Sequence, residues 1–199
     1  MPIFFVKILK LPIVCTIFGL LSLIFVELDR RAYNSDFFNS SGGNIEIIKS
    51  ISLSKEFIII GHGFAGSKEM MRQIAYDVAN AGSNAVLFDF IGHGLNQQKL
   101  VNQPTQLTGT TQQLVDQLSN IINFIYEKFG DEINISLIGH SMASDIVIRA
   151  SADKRVRSVV AISPYSTGIT PDFPNDLLLI SGQLESHLRS HALQMVKTF

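Results

Sequence analysis

The chain has 199 residues, 46% of them hydrophobic and 17% charged, with a net charge of −1 and a pI near 6.5. It carries no basic stripe, so nothing in it recommends nucleic acid as a partner. Its one cysteine, Cys15, excludes an internal disulfide and a cysteine-based zinc site.

Mean hydropathy is +0.26, and the apolar excess sits at the start. Residues 3–26 read IFFVKILKLPIVCTIFGLLSLIFV, and residues 11–26 are a run of 16 without a charge. At ~1.5 Å per residue that run is about 24 Å, slightly short of a ~30 Å hydrocarbon core; Leu9 and a snorkelling Lys10 extend it. A basic start and an apolar run also describe a signal peptide, but the ELDRRAYN that comes next holds no small-x-small cleavage site. Residues 1–32 therefore read as an uncleaved, single-pass membrane anchor, ahead of a cleaved signal or a buried soluble helix. Pro12-Ile13-Val14 lack the small residue that lipoprotein processing needs, so Cys15 reads as a small hydrophobe within the span. Lys7 and Lys10 flank one end and Arg30 and Arg31 the other, a near balance that leans towards a domain outside the membrane.

Residues 33–44 (YNSDFFNSSGGN) are polar, rich in Gly, Ser and Asn, and read as a linker. A domain over residues 45–199 comes after it. Strands are predicted at 45–53, 56–63, 83–90, 133–141, 156–163 and 176–182. A helix is predicted over 67–82, with Met70, Ile74, Val78 and Ala81 on its apolar face and Ser67 as a possible N-cap. Further helices are predicted over 109–130, 142–152 and 186–199. Apolar strands alternating with helices predict an α/β fold, a mostly parallel sheet flanked by helices.

The strongest local signal is Gly139-His140-Ser141-Met142-Ala143, set between a strand and a helix. In a strand–turn–helix elbow the middle residue is strained, and small residues two before and two after let strand and helix approach. The serine hydroxyl is then thrust out at a helix N-terminus, where a developing oxyanion is stabilised. The plainer reading is that Ser141 caps the helix. His62-Gly63-Phe64 lies just after another strand, and His62 reads as structural rather than as a base. Asp89-Phe90-Ile91-Gly92-His93-Gly94 lies just after a third strand, and Asp89 reads as a residue that fixes the turn through backbone N–H groups. Metal binding by Asp89 and His93 lacks a further ligand set.

HGF, DFIGHG and GHSMA, in this order and spacing, resemble the α/β-hydrolase superfamily, most closely its bacterial esterase and monoacylglycerol-lipase-like members. The resemblance covers roughly residues 45–185. It implies Ser141 as the nucleophile and the Phe64 and Met142 N–H groups as oxyanion donors. It also implies an acid in a G-x-x-[DE] turn after the next-to-last strand, and Gly182-Gln183-Leu184-Glu185 places Glu185 there, to orient a base imidazole. The plainer reading makes Glu185 a cap of the last helix. Asp172 is a distant alternative acid.

Three departures from the pattern stand out. The base should lie beyond a further strand, yet His187 and His191 are the only histidines after Glu185, and both fall i, i+4 on the last predicted helix. They read as surface residues, and the chain as shortened at its C-terminus, without the family's last strand, last helix and base. Next, only 12 residues lie between Ser163 and Asp176, with Pro164, Pro171 and Pro174 among them, so little room is left for a lid and the site is expected to be open and shallow. Last, Ala143 replaces the second glycine of the elbow. The reading is a serine hydrolase that cleaves a carboxylic ester, of an acyl or lipid-like substrate, through an acyl-enzyme on Ser141. No metal or organic cofactor is implied, and the membrane is the expected partner. The alternatives are a catalytically impaired, membrane-tethered remnant, or a peptidase or acyltransferase on the same fold.

Overall fold

The computed structural model describes residues 2–101, 110–164 and 176–197. The chain divides into two units, Met1–Asn34 and Ser35–Phe199.

The first unit is a helix, α1 (Pro2–Ala32). Within its stretch Leu11–Ala32 an 18-residue window has a mean hydropathy of 2.3, and none of that window is buried. At ~1.5 Å per residue its 22 residues span about 33 Å, so by length and composition it is able to cross a membrane. Thr16 and Ser22 donate their hydroxyls to the Pro12 and Phe18 carbonyls at 2.8 and 2.9 Å, so neither offers an unpaired polar group to lipid. Cys15 is exposed on this surface. A helix apolar all round and unburied suits a membrane anchor or a signal sequence, and the buried-helix reading falls.

The second unit is built on a sheet of strands β1 (Ser35–Ser40), β2 (Gly43–Ile48), β3 (Glu56–Gly61), β4 (Asn84–Phe88), β5 (Asn134–His140), β6 (Val156–Ile162) and β7 (Leu177–Ile180). Their order is β1-β2-β4-β3-β5-β6-β7. Strands β3 to β7 run parallel. β2 is antiparallel to β4, and β1 to β2. Every residue of β4 is buried, as a strand covered on both faces requires.

The expected linker does not hold as drawn. Residues 35–40 form β1, an edge strand paired with β2 from Ser35↔Ile48 to Ser40↔Gly43. The physical reason is its position. An edge strand with one wet face needs few apolar residues, and here Phe38 suffices, packing its ring on Phe124 at 5.7 Å. The β6–β7 pair is parallel, with Val159 opposite Leu177, although few residues connect the two strands. Asp172, Pro171 and Pro174 lie outside the described residues.

Among the described residues four helices complete the unit. A 3₁₀ turn, Lys68–Met71, leads into α2 (Arg72–Asn80). After it come α3 (Thr110–Phe129), α4 (Met142–Ala150) and α5 (Ser186–Lys197). One hydrophobic cluster joins α3, α4 and Met195 of α5 to Ile59, Val86, Phe88 and Leu137 of the sheet. α2 lies against β4 and β2. Its buried apolar residues are Met71 at its start, Ala75, Tyr76 and Ala79, one position away from the predicted Met70, Ile74 and Val78; Met70 is exposed. Ile74 and Val78 lie half-buried beside that face. The small alanines also let α2 approach the sheet more closely than its larger residues would.

Candidate active site

β5 ends at His140 and α4 begins at Met142, so the chain reverses on Ser141 alone. Ser141 takes φ 54° and ψ −113°. For a residue other than glycine this is strained by ~1–3 kcal/mol. Its surroundings hold it there: its N–H donates to the Ile162 carbonyl at 2.9 Å, and the Ser144 N–H and hydroxyl both donate to its carbonyl, at 2.9 and 2.6 Å. Gly139 is essential to this reversal, because a Cβ there would lie 2.6 Å from the Ala143 carbonyl carbon. Ala143 fits in place of a glycine for a reason not visible locally: its methyl faces Gly61, where a Cβ would come within 2.9 Å of it.

Ser141 stands at the N-cap of α4 but makes no side-chain capping bond, so the capping reading fails. Among the described residues its hydroxyl has no hydrogen-bond partner. It opens onto a cleft of about 240 Å³, whose lining includes Gly63, Phe64, Met71, His140 and Ile162.

The loop after β3 forms the facing wall. A Cβ on Gly63 would lie 3.3 Å from the Ser141 Cβ and 3.1 Å from His140 Nδ1, so glycine is what allows the two loops to meet. His62 is fully buried. Its Nδ1 donates to the Gly63 carbonyl at 2.8 Å, and its Nε2 accepts the Phe90 N–H at 3.1 Å. That pairing assigns the neutral Nδ1–H tautomer, and burial pushes the imidazole below its ordinary range. Both nitrogens are occupied, which fits the structural role expected of His62. Phe64 projects its ring into solvent, edge-on to His93 at 5.6 Å. Met142 opens α4, where a first-turn N–H has no intrahelical partner.

The far end of this loop is tied down by charge. The Lys68 N–H donates to Asp89 Oδ1 at 2.7 Å, and the Leu95 N–H donates to Asp89 Oδ2 at 2.9 Å. Asp89 is thus the turn-fixing residue expected, with both oxygens engaged by backbone. Lys68 Nζ and the Arg72 guanidinium converge on Glu46, buried on β2, at 2.7 to 2.8 Å. Burial pushes the Glu46 carboxyl up, but the Arg72 and Lys68 hydrogen bonds outweigh it and hold the group at about 2. This network escaped the sequence reading, since a lone Glu in a strand carries no signal of its partners.

Glu185 lies in the turn after β7. Its carboxylate accepts the Gly182 N–H at 2.8 Å and the Ser163 hydroxyl at 2.9 Å. The Gly182 bond, then the Ser163 bond, and lastly the charge of nearby His140 draw its pKa down. Ser163, at the end of β6 with φ 50°, also went unnoticed in the sequence. His187 and His191 lie on α5, their rings 4.8 Å apart, and neither lines the cleft. The chain holds five histidines, all within the described residues, and none is hydrogen-bonded to Ser141. Among the described residues no three His, Cys, Asp or Glu side chains gather into a metal-holding group.

A strand–elbow–helix at the C-terminal edge of a mostly parallel sheet defines the class. The chain belongs to the α/β-hydrolase fold family, whose model matches residues 56–187. Its fold is similar to a lidless α/β serine hydrolase from Xanthomonas campestris (14% identity, TM-score 0.62), covering 81% of this chain and 78% of that one. It is likewise similar to a protein of unknown function from Agrobacterium tumefaciens (18%, TM-score 0.64), covering 82% and 79%. A thermostable carboxyl esterase from Bacillus coagulans matches at 16% identity and a TM-score of 0.53, over 66% of this chain but only 44% of its own. No curated protein sequence matches the chain. Family and fold make it a hydrolase.

Proposed function

We propose that this hydrolase cleaves a carboxylic ester through an acyl-enzyme on Ser141. The observation that carries the reading is the strained Ser141 backbone, which presents an uncapped hydroxyl to the cleft at the N-terminus of α4. Strain of this kind persists where surrounding structure enforces it, and it clusters at reactive sites. Ser141 Oγ attacks the ester carbonyl carbon, and the oxyanion is received by the Phe64 and Met142 N–H groups and the positive end of α4. The alcohol leaves with a proton, and water then releases the acid. Glu185, ionised and held by Gly182 and Ser163, serves as the acid that orients an imidazole. Carboxyl esterase and lidless serine hydrolase relatives support an open site for an ester substrate, as fold-level analogy. We also propose that α1 is a membrane anchor rather than a signal sequence, since Arg30, Arg31 and Tyr33 come after its apolar run as interface residues do.

A second reading, a nucleophile-bearing fold without turnover, draws on one observation: no histidine is hydrogen-bonded to Ser141. Without a base only oxyanion and binding effects remain. A fluorophosphonate probe with an ester panel separates the readings. Labelling abolished by Ser141→Ala, with ester turnover, is the expected result. Labelling without turnover favours the second reading, and a folded protein that takes no label refutes the serine hydrolase.

A further inference from the structure

Acyl transfer to Ser141 needs a group that takes the hydroxyl proton, and the chain has five histidines to offer it. Four have other places. His62 is fully buried with both ring nitrogens engaged. His93 is buried, and its Nδ1 donates to the Ile91 carbonyl at 3.0 Å. His187 and His191 lie on α5 and do not line the cleft. His140 is the fifth. It is half-buried and lines the same cleft as Ser141, and among the described residues no hydrogen bond engages its imidazole.

Neighbouring residues on a strand ordinarily face opposite sides of the sheet. His140 and Ser141 escape that rule because the strand ends between them. β5 stops at His140, and the positive φ of Ser141 turns the chain, so both residues open onto one cleft. Gly63 gives the scale. The point where a Cβ of Gly63 would lie is 3.1 Å from His140 Nδ1 and 3.3 Å from the Ser141 Cβ. The imidazole and the serine side chain thus flank one spot, a span that a side-chain rotation or one bridging water closes.

Strand order brings up the carboxylate. β5, β6 and β7 lie side by side, with His140 opposite Ile162 and Ile162 opposite Ile180. Ser163, directly after β6, donates to Glu185 in the turn after β7. Glu185 therefore stands at the same sheet edge as His140, and the charge of His140 is among the influences that draw the Glu185 pKa down. A carboxylate so placed stabilises an imidazolium formed beside it.

We infer that His140 is the general base for Ser141, with Glu185 as its charge partner. The inference rests on the ester-cleaving reading of Ser141. The Ser141 Oγ–H bond breaks and its proton passes to an unprotonated nitrogen of His140, while Oγ bonds to the ester carbonyl carbon and the π electrons move to the oxyanion. The bond to the alcohol oxygen then breaks, and the His140 imidazolium gives that oxygen its proton. Water repeats the sequence on the acyl-enzyme. It yields a proton to His140 and bonds to the acyl carbon, and Ser141 Oγ leaves with the proton from His140. The imidazole ends as it began, and no further reactant is consumed.

The test measures fluorophosphonate labelling and p-nitrophenyl acetate turnover of the full chain in detergent, with far-UV circular dichroism to check folding. His140→Gln should slow both by about 10²- to 10⁴-fold, the range that proton transfer by a positioned side chain contributes. Imidazole added to His140→Ala should restore part of the lost rate in proportion to its concentration, which a merely structural histidine would not allow. On the wild type, diethyl pyrocarbonate should stop labelling in step with carbethoxylation of His140, mapped by mass spectrometry; this readout needs no variant to fold. A folded His140→Gln that labels at the wild-type rate, or labelling that persists with His140 fully modified, overturns this inference alone. So does a slow, folded His140→Ala that imidazole leaves unchanged. A wild type that takes no label overturns the Ser141 reading and the inference with it.

Discussion

Glu46→Gln probes the charge cluster that ties the cleft loop to the sheet. In the folded chain the Glu46 carboxyl sits at about 2 rather than 4.5, because the Arg72 and Lys68 hydrogen bonds overcome the upward push of burial. At ~1.36 kcal/mol per pH unit, that depression favours the carboxylate over the neutral acid by about 3 kcal/mol. Glutamine has the shape of the neutral acid, so the variant should be about 3 kcal/mol less stable at pH 7. Arg72 keeps Glu69 as a partner at 2.7 Å, which limits further damage. The direction of the shift sets the sign of the pH dependence. A depressed carboxyl contributes its full stability above 4.5 and loses it as pH falls towards 2, so wild type and variant should converge over that window. Urea unfolding of the full chain in detergent, monitored by far-UV circular dichroism at pH 7, 5 and 3, measures the difference. A gap under about 1 kcal/mol at pH 7, or one that does not narrow by pH 3, refutes a stabilising role for the Glu46 cluster.

Two further outcomes are expected. Burial lowers the His62 pKa from its ordinary 6.5, so the folded state resists the proton that the unfolded chain accepts. Its contribution is complete above pH 6.5 and falls away below it, so His62→Gln should flatten the stability-against-pH slope between pH 7 and 5. Equal slopes for the two proteins would count against it. Gly139→Ala drives a methyl into the Ala143 carbonyl and should destabilise the domain by about 1–3 kcal/mol, with loss of fluorophosphonate labelling. Wild-type labelling by that variant would mean the elbow is looser than its geometry implies.

Much of the fold was legible because its signals are short-range. Apolar runs such as Ile58-Ile59-Ile60 and Ala85-Val86-Leu87-Phe88 announce buried strands wherever they fall. Gly139 and Ser141 announce a sharp reversal because only a small residue tolerates the approach of α4. The polar stretch at 35–40 reads wrongly as a linker because composition reports water contact, and an edge strand and a linker are equally wet. The phase of α2 reads wrongly because its close-packed face is lined by Ala75 and Ala79, which the spacing of large hydrophobic residues does not report.

The sequence by itself determined the alternation of elements, the elbow at Ser141, the turn at Asp89 and an apolar helix able to cross a membrane. Each depends on residues within a few positions of one another. Tertiary structure alone decided what separates them. Glu46 meets Arg72 across 26 positions, Ser163 reaches Glu185 across 22, and Asn84 closes a loop 30 and more residues away. The same holds for Gly61, which makes room for Ala143, and for Ser35, which enters the sheet at the edge away from the cleft. Such partners are chosen by strand order and register, and these become definite only when the whole sheet buries its two faces together.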